Sequence, residues 1–327
     1  MNPNGLKSLP FDPLPILLGS RSTAVRCLAG RDLLGKDFDP ERLWKLEAPR
    51  RLLAKQRTDG SWKYPGRPKV NKASYDTLQT YRVLGDLVEK FAFDATHQAV
   101  ARAADFILSS QTEEGDIRGI YGRQYSPNYT AGMMEILIKA GLATDARVER
   151  AMRWLFGMRQ DDGGWAVPLR TAKLRYSDAM KLDSPLMPER SRPFSHLVTG
   201  IVLRAFAADP AWSENPEVRL AGELLASRFF KADVYPDRKS PLYWKSTSFP
   251  FWWTDIVSSL DAISKLGITP RNPHVQEALS WIASTQKPSG HFSIKMLAGA
   301  RELDLDDWLV LAISRVFCAM AVPGPDH

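Results

Sequence analysis

One short phrase, written four times along the chain, limits the possible folds more than any other feature. Gln56-Arg57-Thr58-Asp59-Gly60-Ser61-Trp62 is the first copy. Gln111-Thr112-Glu113-Glu114-Gly115-Asp116-Ile117 is the second, with isoleucine where tryptophan stood. Gln160-Asp161-Asp162-Gly163-Gly164-Trp165 is the third and is one residue shorter. Gln286-Lys287-Pro288-Ser289-Gly290-His291-Phe292 is the last, closed by phenylalanine. Between the third and last copies, Ser227-Arg228-Phe229-Phe230-Lys231-Ala232-Asp233 keeps a plausible spacing but has lost the phrase. A period of roughly 50 to 60 residues is the mark of a repeat architecture.

Each copy follows an amphipathic stretch. The segments before Gln56, Gln111, Gln160 and Gln286 are half charged and half apolar, which predicts helices with one wet face. Leu43, Trp44, Leu46, Leu52 and Leu53 carry the apolar side of the first, and Pro49 must kink it or split it. After each copy comes a loop and then a different kind of helix, near Tyr75, Tyr129, Phe194, Trp252 and Asp306. These are apolar around most of their circumference, which predicts burial on both sides. Gly85, Gly141 and Gly267 are placed to end three of them, and Gly35 to end another near the N-terminus, with Pro13 to Leu18 as its outer partner. About six outer and six inner helices alternate in this reading. Alternation of half-wet and fully buried helices suits a closed double ring. No stretch reads as a strand, and no shift in composition marks a boundary. The expected fold is all-α, an (α/α)6 toroid, with residues 1–327 as a single domain.

The repeated phrase has a structural job. A glutamine at the end of an outer helix can bond backbone groups at a neighbouring helix end. The aromatic can cover that amide, and glycine supplies a backbone conformation that a side chain forbids. Gln56, Trp62, Gln160 and Trp165 are therefore read as staples rather than as catalytic groups.

Phrases of the form Q-x-x-D-G-x-W that close the outer helix of a hairpin resemble the QW repeats of squalene-hopene and oxidosqualene cyclases. The same toroid occurs in the β-subunits of protein prenyltransferases. At the level of repeat plan, the chain resembles the terpene cyclase/prenyltransferase superfamily over nearly its whole length. The resemblance implies an isoprenoid or other apolar substrate in the toroid cavity. Class II terpene cyclases carry a D-x-D-D motif whose central aspartate protonates an alkene or epoxide, and Asp304-Leu305-Asp306-Asp307 matches it. By that match Asp306 is the proton donor, with Asp304 and Asp307 tuning it, since neighbouring carboxylates can hold one of their number neutral. The same run opens a predicted inner helix, where the backbone dipole favours acidic residues without any catalysis.

The prenyltransferases hold zinc with an aspartate, a cysteine and a histidine on inner-helix ends. His196 and Asp255 open two inner helices here, but Cys27 and Cys318 lie inside theirs, so no metal and no cofactor are expected. Tyr75, Asp76, Gln79, Tyr129, His196, Trp252, Trp253, Asp255 and Trp308 fall near one end of the inner helices and form the expected cavity wall. Aromatic walls suit carbocations and neutral polyprenyl chains alike. The alternative is a toroid without catalysis that binds a hydrophobic ligand or a partner protein.

Charge decides between partners. The net charge of +7 over 327 residues is modest, with one denser basic patch from Arg228 to Lys245. Such a patch can meet lipid headgroups, a diphosphate or nucleic acid, or be a solvated loop. No zinc-finger spacing, RNP motif or polybasic helix is present, so no nucleic acid partner is expected. Two cysteines make no disulfide framework, the N-terminus lacks a signal-peptide layout, and no apolar run is long enough to span a bilayer. The expectation is a cytoplasmic protein, with Phe249 to Trp253 as the stretch suited to peripheral contact with the inner membrane face.

Overall fold

Several helix starts in this chain are set by short polar caps, and several helix stops by glycine. The computed structural model describes residues 3–68, 72–297 and 304–321. In chain order the helices are α1 (Leu14–Gly19), α2 (Thr23–Leu34), α3 (Glu41–Trp44), α4 (Glu47–Leu53), α5 (Lys72–Phe91) and α6 (Gln98–Leu108). There follow α7 (Pro127–Leu137), α8 (Ala146–Gly157), α9 (Pro168–Thr171), α10 (Tyr176–Ala179) and α11 (His196–Ala208). The last are α12 (Pro210–Ser213), α13 (Pro216–Ala226), α14 (Ile256–Lys265), α15 (Pro273–Ser284) and α16 (Leu305–Met320). Two parallel two-residue strands, β1 (Ser246–Thr247) and β2 (Lys295–Met296), are the only named strands among the described residues. The all-α expectation is borne out.

Asp145, Asn215 and Asn272 cap α8, α13 and α15, each accepting hydrogen bonds from first-turn backbone N–H groups. Gly35, Gly141 and Gly267 adopt the positive φ expected of helix stops. Gly85 does not. It is buried inside α5, which runs on to Phe91 because Leu87, Val88 and Phe91 prolong its buried face. The first outer helix is split, as Pro49 required, into α3 and α4.

The helices group into two compact units, Pro40–Pro210 and a second that joins Met1–Asp39 to Ala211–His327. In the 40–210 unit, α7 packs on α5, α8 and α11, and α5 also packs on α6. Every residue of α11 from His196 to Ala207 is buried, whereas α6 and α8 bury one stripe each, Val148, Ala151, Met152 and Leu155 in the case of α8. That is the inner and outer distinction read from composition. Burial works to raise the Glu135 carboxyl of α7, yet Arg204 of α11 and Lys139 hold it below the ordinary range. In the other unit α16 packs on α14, α2 and α1, with α13 against α14.

The repeated phrase joins successive elements. The Gln56 amide donates to Gly60 O (3.0 Å) in its own turn and to Ala99 O (2.7 Å) in the first turn of α6. Gln111 repeats this with Gly115 O (2.9 Å) and Arg147 O (2.8 Å) in α8. Gln286 bonds Gly290 O (3.2 Å) and Phe11 O (2.9 Å) and accepts from Phe11 N (2.9 Å), tying the end of α15 to the N-terminal segment. Gln160 departs from the rule. Its amide donates to Glu189 O and Arg192 O, in the long insertion. The closing residue is held from both sides. Trp62 and Trp165 donate their indole N–H to Leu52 O and Leu155 O, each at 2.7 Å. The backbone N–H of Trp62, Ile117 and Trp165 donates to the hydroxyls of Thr80, Thr130 and Thr199 on inner helices. Gly60 has φ +86°, and a Cβ there would stand 2.3 Å from Arg102 O.

The staple predicts a graded loss of stability. Trp165→Ala empties a fully buried site and removes the indole bond to Leu155 O, costing about 3–5 kcal/mol, while Gln56→Leu costs about 1–3 kcal/mol. Denaturant unfolding of both variants beside wild type checks the order.

Candidate functional site

The 40–210 unit brings tyrosines together from four elements. Tyr75 stands on the first turn of α5, Tyr129 on the first turn of α7, Tyr121 in a 3-10 turn over Gly119–Tyr121, and Tyr176 opens α10. The Tyr121 ring lies 5.6 Å from Tyr129 and 6.0 Å from Tyr176, and Tyr75 lies 4.8 Å from Tyr64. Tyr75 is close enough to Tyr129 and Tyr176 to act on the ionisation of both. All four are half-buried. The turn comes this close because it has no side chain at Gly119, whose φ is +56° and where a Cβ would meet the Tyr129 ring at 2.9 Å. The Tyr176 hydroxyl donates to Ile120 O at 2.6 Å, which fixes α10 to the same turn.

Burial pushes the phenols of Tyr81, Tyr129 and Tyr176 above the ordinary value. Tyr125, buried and donating to Glu114, is pushed up to about 12. The tyrosines present ring faces for apolar groups and hydroxyls for a few polar ones. Beside it, a half-open cleft of about 300 Å³ is lined by Ser74, Thr77, Ser110, Thr112 and Arg118, together with Gly119.

The other expected wall residues of this unit divide. Gln79 is half-buried one turn beyond Tyr75 and so on the same face of α5. Asp76 is buried and already engaged. Its carboxylate accepts from Arg57 (2.9 Å) and from Tyr64 N (2.8 Å), and so belongs to the staple. His196 is buried, following the Ser195 cap of α11. Among the described residues no group of three His, Cys, Asp or Glu side chains could hold a metal ion.

The remaining candidates lie in the other unit, mostly as packing. Asp304 precedes α16, half-buried, and makes no side-chain cap bond. Asp306 is exposed, so the strong neutral acid expected there lacks the enclosure it needs. Asp307 is half-buried, accepts from Ser20 Oγ at 2.6 Å and stands 3.1 Å from His291 Nε2, which makes it a tie between three segments. Trp308 is buried and stacks on Phe249 at 5.3 Å. Trp252 and Trp253 are half-buried in the loop before α14. Asp255 is a buried helix cap, accepting from Ser258 N while its own N–H donates to Ser258 Oγ. Tyr121 and Tyr176 were not among the sequence candidates. Tyr121 lies in a loop that no helical period phases, and Tyr176 in the insertion after Trp165, which carries no repeat.

A family model of the squalene-hopene cyclase C-terminal domain matches residues 67–181, a stretch that holds all four tyrosines. The resemblance to the terpene cyclase superfamily is thereby borne out over this stretch. Among solved structures, the type II terpene cyclase MstE from Scytonema, in its apo form, is 10% identical, covering 83% of this chain and 95% of its own, with a TM-score of 0.31. A variant of that enzyme in complex with geranylgeranyl dihydroxybenzoate is 12% identical, with coverage of 83% and 94% and a TM-score of 0.35. A protein from Actinoplanes is 15% identical, with coverage of 86% and 98% and a TM-score of 0.35. Likeness at this level fixes no residue correspondence. No curated protein matches the chain.

The raised phenols carry a pH signature. Their stabilisation is present below about pH 10, the ordinary phenol value, and is lost as pH rises through the value of about 12 for Tyr125. At about pH 11 the folded protein should show less phenolate absorbance than the same protein in denaturant. Equal absorbance in both would contradict the burial of these rings.

Proposed function

We propose that this chain is a terpene cyclase-like protein that binds an isoprenoid, or a comparably apolar small molecule, against the tyrosines of its 40–210 unit. The observation that carries the reading is the meeting of half-buried Tyr121, Tyr129 and Tyr176 from three elements, with Tyr75 on the first turn of α5 in the same unit. Predominantly aromatic walls with a few convergent polar groups are what small-molecule sites use to hold apolar ligands. The family match supports the reading because it spans all four residues.

Acid-initiated cyclisation with Asp306 as donor is the finer reading of the D-L-D-D run. Asp306 is exposed in the first turn of α16, without the enclosure that an acid initiating cyclisation calls for. Asp307 is already engaged by Ser20 and His291. Binding without proton donation from Asp306 is therefore the better supported reading.

Mass spectrometry of organic extracts from purified protein tests it. Wild type and Asp306→Asn should carry the same apolar ligand in equal amount, and a Tyr121→Ala/Tyr129→Ala variant about tenfold less, as lost aromatic contact implies. A ligand of different mass in Asp306→Asn would restore the acid mechanism. An empty wild-type extract that stays empty after incubation with long-chain isoprenoid alcohols would overturn the binding reading.

A further inference from the structure

The basic stretch Arg228 to Lys245 takes no part in the tyrosine site. It lies wholly in the unit that contains the C-terminal helices. Its backbone is well tied. Trp244, 2% exposed, donates its indole N–H to Lys231 O at 2.9 Å and packs edge-on against Phe229 at 5.3 Å. Asp233 is buried, its N–H bonds Lys239 O at 3.0 Å, and its carboxylate accepts from Tyr235 N. A 3-10 turn, Pro241–Lys245, starts from Ser240, whose hydroxyl accepts from Leu242 N.

On this anchored turn the apolar side chains point the wrong way for a soluble surface. Leu242 is 70% exposed, Val234 49% and Tyr243 37%. An exposed leucine by itself needs no explanation. Here, however, three of the eight large hydrophobic side chains exposed among the described residues fall within one short stretch. The same stretch holds Arg228, Lys231, Arg238, Lys239 and Lys245 against Asp233 and Asp237, five positive charges less two negative, a net of +3. Lys231, Lys239 and Lys245 are exposed. The Arg238 guanidinium sits 3.9 Å from the Trp253 ring centre and 4.9 Å from that of Tyr243, bracing Tyr243 against the unit.

Charge alone would suit any anion. Leucine and valine distinguish among them, because hydrocarbon rewards their burial and a phosphate backbone does not. Tyrosine, with an apolar ring and a polar tip, favours the boundary between headgroup and chain. Phe249 to Trp253, the stretch the sequence offered for membrane contact, is less suited, since Phe249 is buried beneath Trp308. We infer that residues 228–245 form a docking turn for an anionic lipid surface, with Leu242 and Tyr243 entering the interface and the surrounding lysines facing lipid phosphates. No helix of the described residues is long and apolar enough to cross a membrane, so the contact is peripheral. The inference does not depend on what the tyrosine site binds.

Co-sedimentation of the full chain with vesicles of phosphatidylcholine, with and without phosphatidylglycerol, is the test. Wild type should pellet with the anionic vesicles and be released by high salt. Leu242→Ser/Tyr243→Ser should weaken partitioning about tenfold, and Lys239→Gln about fivefold. Met187→Ser, which removes a side chain 64% exposed in the other unit, should change nothing. Unchanged melting temperatures would show that the variants are folded, as expected for exposed positions. Wild type that ignores anionic vesicles at low salt would overturn the inference. So would an equal loss in Met187→Ser, or binding to duplex DNA in preference to vesicles.

Discussion

The glutamine carboxamide that follows four of the outer helices is the interaction on which the arrangement depends. A helix end leaves carbonyls without partners, and a loop must then turn the chain back. Here one side chain reaches both its own turn and the next element. Gln56 reaches α6 and Gln111 reaches α8 by the same pair of bonds. Trp62 and Trp165 then close off the carbonyls of the helix just ended, and a threonine on the following inner helix receives the backbone N–H. The first two copies thus fix three things together: where an outer helix stops, where the next element begins, and how far along the inner helix the loop lands. The last of these places Tyr75 and Tyr129 on first turns, beside the loop that carries Tyr121.

The repeat also explains how much could be read from the sequence. Gln56, Trp62, Gln160 and Trp165 announced their role because their spacing recurs and because amide and indole have few other uses at a helix end. Their partners Thr80, Thr130 and Thr199 were silent, since the loops between phrase and threonine differ in length and no fixed offset links them. Half of the tyrosine wall was legible, in Tyr75 and Tyr129, because both open inner helices. Tyr121 and Tyr176 depend on loop conformation, which side-chain periodicity does not encode. Asp76 and Asp255 show the opposite failure. A carboxylate at an inner-helix start looks like a cavity residue in sequence, yet a helix start is also where backbone N–H groups and arginines need an acceptor.

The aspartate run at the start of α16 shows how one motif admits two readings. Its spacing fits proton donation. In the structure Asp307 is spent on Ser20 and His291, and Asp306 is exposed. The tyrosines of the 40–210 unit offer half-buried ring surface with a few hydroxyls, which suits an apolar ligand. The tyrosines and the aspartate run therefore fall in different units.

Photolabelling with a diazirine-bearing isoprenoid, followed by peptide mapping, tests the central claim most directly. The tyrosine wall predicts that the label falls on peptides containing Tyr75, Tyr121, Tyr129 or Tyr176, and that unlabelled isoprenoid competes it away. Label confined to peptides around Asp306 and Trp308, with the tyrosine peptides clean, would contradict the account and return the aspartate run to the centre of the chemistry.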